Sequence, residues 1–325
     1  MDPVQLLAIL ATAIATSTPL VLACLGETIS ERAGVINLSA EGTIMLGAMT
    51  GFAAAYATGQ IWLGFLAAAG VGAGVALIVA FAAITLQQSQ IAIGFVLALW
   101  AADLSSFLGN AFVRIPGPTV PSWKLPILHQ IPGVGSLLFA SDGLVYLTYL
   151  LIAISSIFFY RTRAGLVLRM IGEQPAAAFA RGIPVVYWRY FYTLLGGSLL
   201  GIAGAAFSLD FKAGWSHRHT AGYGWIALAI VIFGGWDPLK SALGAYLFGI
   251  LQSLASVAQS QIRFIPTQVF SVAPFVVMIL VLVLTSGQWL ERLLDPLPYH
   301  WRHRLLKILR STPPAALGQS FNPDP

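Results

Sequence analysis

From Gly42 to Ala102 the chain contains no Asp, Glu, Lys or Arg. A run of about 60 uncharged residues is enough for two or three crossings of a hydrocarbon core at about 20 residues each, and no water-covered fold can hide it. The rest of the chain agrees. Hydrophobic residues make up 58% of the 325 and charged residues 9%, whereas a soluble domain carries roughly 25% charge. Apolar runs of this length, without strand-like alternation, predict an all-α polytopic membrane protein.

Runs of spanning length between polar or Gly/Pro breaks give about nine transmembrane helices, at 4–25, 35–57, 61–86, 91–108, 143–160, 190–209, 223–235, 241–258 and 269–287. The seventh is short, about 20 Å at 1.5 Å per residue, and reads as a short or broken helix lining a protein-filled or wet cavity. The transmembrane body is thus 1–290, with a basic tail at 291–325. The end of that tail, from Ser311 with Pro313, Pro314, Pro323 and Pro325, is expected to be disordered.

Orientation follows from Lys and Arg in short loops. The segment 161–189 holds Arg161, Arg163, Arg169, Arg181 and Arg189 against only Glu173, and the tail holds Arg292, Arg302, Arg304, Lys307 and Arg310. Four spans separate these two regions, so both fall on one side, the cytoplasm, and the proline-rich loop 109–142 lies outside. Small residues four apart, Gly47 and Gly51, Gly70 and Gly74, Gly197 and Gly201, predict close helix packing inside the bundle.

Most chemistry is excluded. None of Lys124, Lys212, Lys240 and Lys307 follows a glycine, so the phosphate-cradling loop of an ATPase is missing. The single cysteine, Cys24, leaves no disulfide, zinc cluster or iron–sulfur centre within the chain. The pairs His217/His219 and His300/His303 lack a third ligand at recognisable spacing. The chain is therefore read as no enzyme, with no cofactor or metal of its own and no nucleic-acid partner. Its partner solvent is the lipid bilayer.

Two regions stand out. The polar cluster Asn37-Leu38-Ser39-Ala40-Glu41-Gly42 interrupts the second span, and Glu41 reads equally as the brace of a broken helix or as a group lining a path. Asp103 reads as solvated at the mouth of the fourth span. On the basic side, Gly172-Glu173-Gln174-Pro175 through Ala177 to Gly182-Ile183 predicts a short helix started by proline and stopped by glycine. Such a rigid knob held out from the membrane suits a loop that receives force from a soluble motor.

Gly26-Glu27-Thr28-Ile29-Ser30-Glu31-Arg32-Ala33-Gly34-Val35-Ile36-Asn37-Leu38-Ser39-Ala40-Glu41-Gly42 resembles the signature of ABC transporter permeases of the nucleoside and simple-sugar uptake group, within the branched-chain amino acid and ribose permease family. Tyr160-Arg161-Thr162-Arg163 through Gly172-Glu173-Gln174-Pro175, Gly222-Tyr223-Gly224-Trp225 through Trp236-Asp237-Pro238, and Ile265-Pro266 with Pro274 match in the same order. The resemblance implies an ABC importer permease fold in a prokaryotic cell (inner) membrane. It also implies a second permease subunit, a cytoplasmic ABC ATPase that carries the ATP and Mg, and an extracytoplasmic substrate-binding protein. It makes Gly172, Glu173, Gln174, Pro175, Ala177, Gly182 and Ile183 the coupling segment. After Gln90 the chain departs from the family pattern, with Ile93 where serine is usual and Ala98 where asparagine is usual, which bears on nucleoside specificity.

The expected translocation path is lined by Asn37, Glu41, Gln90, Phe95, Trp100 and Trp225. The aromatic rings either stack on a planar solute or belong to the interfacial belt and core. The rival reading is an ion- or proton-coupled secondary carrier complete in one chain. If Glu41 is structural, Glu41→Gln is expected to retain most transport and Glu41→Ala to lose it.

Overall fold

The computed structural model describes residues 3–123, 131, 134–139, 141–220, 222–262, 264, 266–285, 295, 298, 300 and 311–322. Arg292, Arg302, Arg304, Lys307, Arg310, His303, Lys124, Pro126 and Ile265 lie outside the described residues. Twelve α-helices follow one another: α1 Pro3–Arg32, α2 Ala40–Thr58, α3 Ile61–Ala80, α4 Gln90–Leu108, α5 Val134–Leu138, α6 Gly143–Arg161, α7 Arg163–Glu173, α8 Pro175–Ala180, α9 Val185–Ala206, α10 Tyr223–Phe233, α11 Pro238–Gln261 and α12 Thr267–Thr285. Single π-helical turns, Phe81–Thr85 and Phe207–Phe211, extend α3 and α9. The described residues contain isolated β-bridges and no strand.

Among the described residues six helical stretches are long and apolar enough to cross a bilayer: Leu6–Arg32, Ile61–Thr85, Gln90–Phe112, Gly143–Arg161, Val185–Phe211 and Pro238–Gln259. The chain is thus an all-helical, multi-pass membrane protein. Helix α2 is not among the six, and α10 and the described apolar part of α12 are shorter. Helix α2 has a different solvent. Its buried set runs from Ala40 through Gly51 and Phe52 to Ala55, because α3, α4 and α9 surround it. A helix enclosed by protein has no need of a lipid-grade apolar exterior.

The seams between these helices are made by glycine. A methyl group placed on Gly72 would lie 2.2 Å from the Gly197 carbonyl oxygen, and one on Gly201 would lie 2.0 Å from the Ala68 carbonyl oxygen. By the same measure a methyl on Gly47 would lie 2.6 Å from the Gly201 carbonyl oxygen and one on Gly51 2.7 Å from Ala205 Cβ. The expected packing thus holds for Gly47, Gly51, Gly197 and Gly201. It fails for Gly70 and Gly74, around which a methyl would meet nothing within 4 Å. On α3 the residue that packs is Gly72, 200° around the helix from both neighbours in the repeat. We expect Gly72→Ala to destabilise the bundle by about 1–3 kcal/mol through overpacking, and Gly74→Ala to leave it unchanged. Thermal inactivation of the two purified variants in detergent compares them directly; equal losses would mean that the α3–α9 seam is not the tight one.

Three expectations need correction. The first span does not end at residue 25. Helix α1 continues to Arg32 and carries Glu27 and Glu31 with it, both buried. The expected start of the second span at residue 35 also fails, since α2 begins at Ala40 and the seven residues before it are irregular backbone inside the protein. The tail correction is larger. Residues 311–322 are not disordered; they lie against α7, α8 and the 33–36 turn, with Pro314 and Ala316 buried. Short apolar and backbone contacts hold this segment, which a proline count reads as a lack of structure.

Candidate functional site

Helix α10 has 11 residues and rises about 16 Å, roughly half of a hydrocarbon core. Its last turn lies at the end of the bundle that carries α7 and α8: Ser311 Oγ donates to the Ile232 carbonyl, and Arg32 Nε donates to the Trp236 carbonyl at 2.9 Å. The first turn of α10 is therefore buried part-way through the molecule. There it meets the first turn of α2 so closely that a methyl on Gly224 would lie 2.4 Å from Glu41 Cα and N. Two helix N-termini converge at one point, each with unpaired N–H groups and a positive dipole end.

Glu41 resolves that conflict. One of its carboxylate oxygens accepts from the Gly222 N–H at 2.6 Å and the other from the Gly224 N–H at 2.8 Å. The carboxylate belongs to the first turn of α2 and caps the first turn of α10, so one negative group serves both positive ends. Gly222, at φ 92°, takes the left-handed backbone that lets the chain turn into α10 with its N–H aimed at Glu41. The geometry also revises the expectation for glutamine. An amide supplies one acceptor oxygen and would aim its own N–H₂ at the second backbone donor, so Glu41→Gln leaves that donor unpaired.

The approach to α2 is buried irregular chain, and its polar groups are paired side chain to backbone as such chain requires. The Ile36 N–H donates to Gln90 Oε1 at 2.8 Å, and Asn37 Oδ1 accepts from the Ser39 N–H at 3.3 Å and from Ser39 Oγ at 2.5 Å. Asn37 in this turn and Gln90 at the start of α4 are thus both buried, and they brace the chain that leads to Glu41. Asn37 Nδ2 has no partner among the described residues.

Phe95 and Trp225 come together, with ring centroids 6.3 Å apart and the rings 50% and 40% exposed. They form an apolar wall beside the Glu41 cap. Trp100, equally exposed, lies five residues beyond Phe95 on α4 and joins no described ring pair with them. Ala98, where the family pattern has asparagine, is buried in the α2–α4 seam, and a methyl on Gly42 would meet its carbonyl oxygen at 2.3 Å. That departure therefore sits at a packing position. Asp103 is exposed at the far end of α4, where it accepts from Arg218 Nη2 at 3.0 Å. Near it, burial lowers the pKa values of Lys212 and His219 from their ordinary values. Among the described residues no cluster of three His, Cys, Asp or Glu side chains forms a metal site.

At the opposite end, α8 starts at Pro175 and stops before Gly182, which has φ 79°. Gly172 is buried with its Cα against the Arg32 carbonyl, while Glu173, Gln174, Ala177 and Gly182 are exposed and Pro175 and Ile183 half-buried. Glu173 Oε1 pairs with Arg32 Nη1 at 3.4 Å.

Sequence reading missed two groups. Glu31 accepts from the Trp236 indole N–H, and Glu27 is fully buried with neither oxygen partnered among the described residues. Both occur in the quoted motif, but a span ended at residue 25 places them outside it. Arg189, counted as a loop charge, is 2% exposed.

Residues 9–282 match the family model described as the permease component of branched-chain amino acid transport systems. The chain belongs to this permease family. It is 39% identical over 251 residues to a putative glucose ABC transporter permease protein of Haloferax volcanii, covering 76% of each chain. It is 33% identical to a nucleoside ABC transporter permease protein of Lactococcus lactis, over 90% of this chain and 96% of the relative. A guanosine ABC transporter permease protein of Bacillus subtilis is also 33% identical, over 87% and 93% of the two chains. No solved structure matches. The relatives are named as permeases, and the role of this permease chain is transport, not catalysis.

Proposed function

We propose that this permease is the membrane subunit of an ATP-driven importer for a nucleoside or a simple sugar, working in a prokaryotic inner membrane with a second permease subunit in a heterodimer. An ABC ATPase would dock on α8 from the cytoplasm, the side that also holds the C-terminus, and an extracytoplasmic binding protein would deliver the solute. ATP and Mg belong to the ATPase. The nine-span topology counts α1, α2, α3, α4, α6, α9, α10, α11 and α12, with α2 and α10 as broken elements. The observation that carries the reading is the family match over 9–282, and the names of the relatives supply the solute class.

The geometry supports a path beside the meeting point of α2 and α10. Broken helices that end inside a bundle can be displaced along their axes without unravelling a full span, and such interruptions are where transporters build their sites. Asn37, Glu41 and Gln90 fix the meeting point, and Phe95 and Trp225 supply the rings beside it. Trp100 is kept as a wall residue of the same path. Proteoliposomes holding this chain, its sister subunit and the ATPase, with binding protein outside and ATP enclosed, test the reading. Uptake of radiolabelled guanosine or glucose should require ATP and survive an uncoupler. Uptake that collapses with the proton gradient while ATP is maintained would establish the rival, a proton-coupled carrier.

A further inference from the structure

The ordered segment 311–322 lies beyond the residues matched by the family model, which end at 282. It touches two places at once. On the α7–α8 side, the Ala315 N–H donates to Glu173 Oε2 at 3.1 Å, the Ala316 N–H donates to the Gly172 carbonyl at 2.9 Å, and the Phe321 ring meets Phe179 edge to face at 5.8 Å. On the side of the turn that leads into α2, the Gly318 N–H donates to the Gly34 carbonyl at 3.1 Å, and the Gln319 carbonyl accepts from Arg189 Nη1 at 2.9 Å. Between these contacts Ala316 is 3% exposed, and Gly318 sits against Ile36.

Without the segment, α7 meets the end of α1 and the first residue of that turn through Leu168, buried in one cluster with Ile29 and Ala33, through Gly172 against the Arg32 carbonyl, and through the Arg32–Glu173 pair. The ion pair, with Glu173 half exposed, adds about 1 kcal/mol or less, and the apolar cluster reaches the turn at Ala33, before Gly34 and Ile36. The segment adds two hydrogen bonds to α7, one to the turn at Gly34 and one to Arg189 of α9, with Ala316 buried between them, and so stiffens the connection beyond Ala33. The turn they reach, at Gly34 and Ile36, is the one whose next residues place Glu41 between α2 and α10.

We propose that residues 311–322 are a strap that transmits motion of α7 and α8 to the 33–39 turn, and through Glu41 to the two broken helices. The strap moves with α8 throughout the cycle and leaves the outer face of α8, with Ala176 and Ala177, free for the motor. This inference rests on the proposed docking of an ATPase at α8. Co-purification of the ATPase reads that docking by itself, and solute taken up per ATP reads the strap.

Two experiments on the full complex in proteoliposomes test it. Removing residues 311–325 should leave the ATPase co-purifying and hydrolysing ATP while solute taken up per ATP falls at least tenfold. Unchanged or increased uptake per ATP would overturn the strap, an increase pointing to an autoinhibitory tail. If the shortened chain fails to assemble, the second experiment decides. Phe179→Cys with Phe321→Cys, in a chain whose only native cysteine is the buried Cys24, replaces the ring contact with two thiols, and oxidation, with the disulfide confirmed by mobility shift, locks the strap to α8. A strap that travels with α8 predicts uptake of the oxidised pair within twofold of the reduced pair. Loss of uptake on oxidation, restored by reductant, would show that the segment must leave α8 and would overturn the proposal.

Discussion

Glu41→Ala is expected to abolish uptake, and Glu41→Gln to reduce it at least several-fold. Alanine leaves the Gly222 and Gly224 N–H groups buried without an acceptor, at about 1–3 kcal/mol each, and removes the negative charge that both helix ends face. Glutamine restores one acceptor and sets a donor against the other N–H, so about half of the loss remains. Aspartate keeps two acceptors on a shorter arm, and helps only if α10 can shift toward α2. The tight Gly224 contact leaves little room for that. Uptake in the ATP-loaded proteoliposomes should therefore rank wild type, then glutamine, then alanine. Thermal inactivation should follow the same order. Glutamine at the wild-type level would mean that one acceptor suffices and that the double cap is not what holds α2 and α10 together. Gln and Ala equally silent, in a protein whose wild type is also stopped by an uncoupler, would move Glu41 from a structural cap to a proton carrier.

The membrane class and the short helix at Pro175 were legible because each depends on local rules. A run without charge has one tolerable solvent, and proline at a first turn followed by glycine after the last has one common conformation. The family signature was legible in the same way, as a string of residues. What that string does was not. Glu41 interrupts an apolar run whatever its partners are, and only the fold brings residues 222 and 224 to it across the chain. Glu27 and Glu31 show the converse failure. Hydropathy ends a span at the first charges, whereas α1 continues for nearly two more turns because α9 and α11 bury its last third.

Exposure explains the remaining differences. Gly72 and Gly74 are alike in composition and differ by rotation around α3, and the rotation is set by α9. Arg189 looks like any loop arginine until the Gln319 carbonyl covers it. The tail is read as disordered because its own sequence buries little. It becomes ordered by using the buried surface of other elements, as Ala316 does against Gly34. In each case the missing quantity is a neighbour far away in sequence, which no window along the chain contains.

Ala177→Arg is expected to detach the ATPase and stop ATP-driven uptake without disturbing the membrane domain. The choice of residue follows from the contacts. Glu173 also lies in the proposed coupling segment, but its carboxylate holds Arg32 and the Ala315 N–H, so replacing it disturbs the strap and the end of α1 together with any docking surface. Gly172 is buried against Arg32, and any side chain there would clash within the permease itself. Ala177 is exposed near the middle of α8 and lies in a helix that alanine and arginine stabilise almost equally. An arginine there adds bulk and charge to the face presented outward and takes nothing from the interior. Truncating or crowding a central contact of a tight interface commonly costs about 2 kcal/mol or more, which is roughly a thirtyfold loss of affinity. Co-purification of the ATPase should therefore fail at concentrations that retain it on the wild type, while thermal inactivation of the permease stays unchanged. Glu41→Gln should show the opposite pattern, with the ATPase bound and transport impaired. If the Ala177 variant keeps both its ATPase and its uptake, docking lies away from α8.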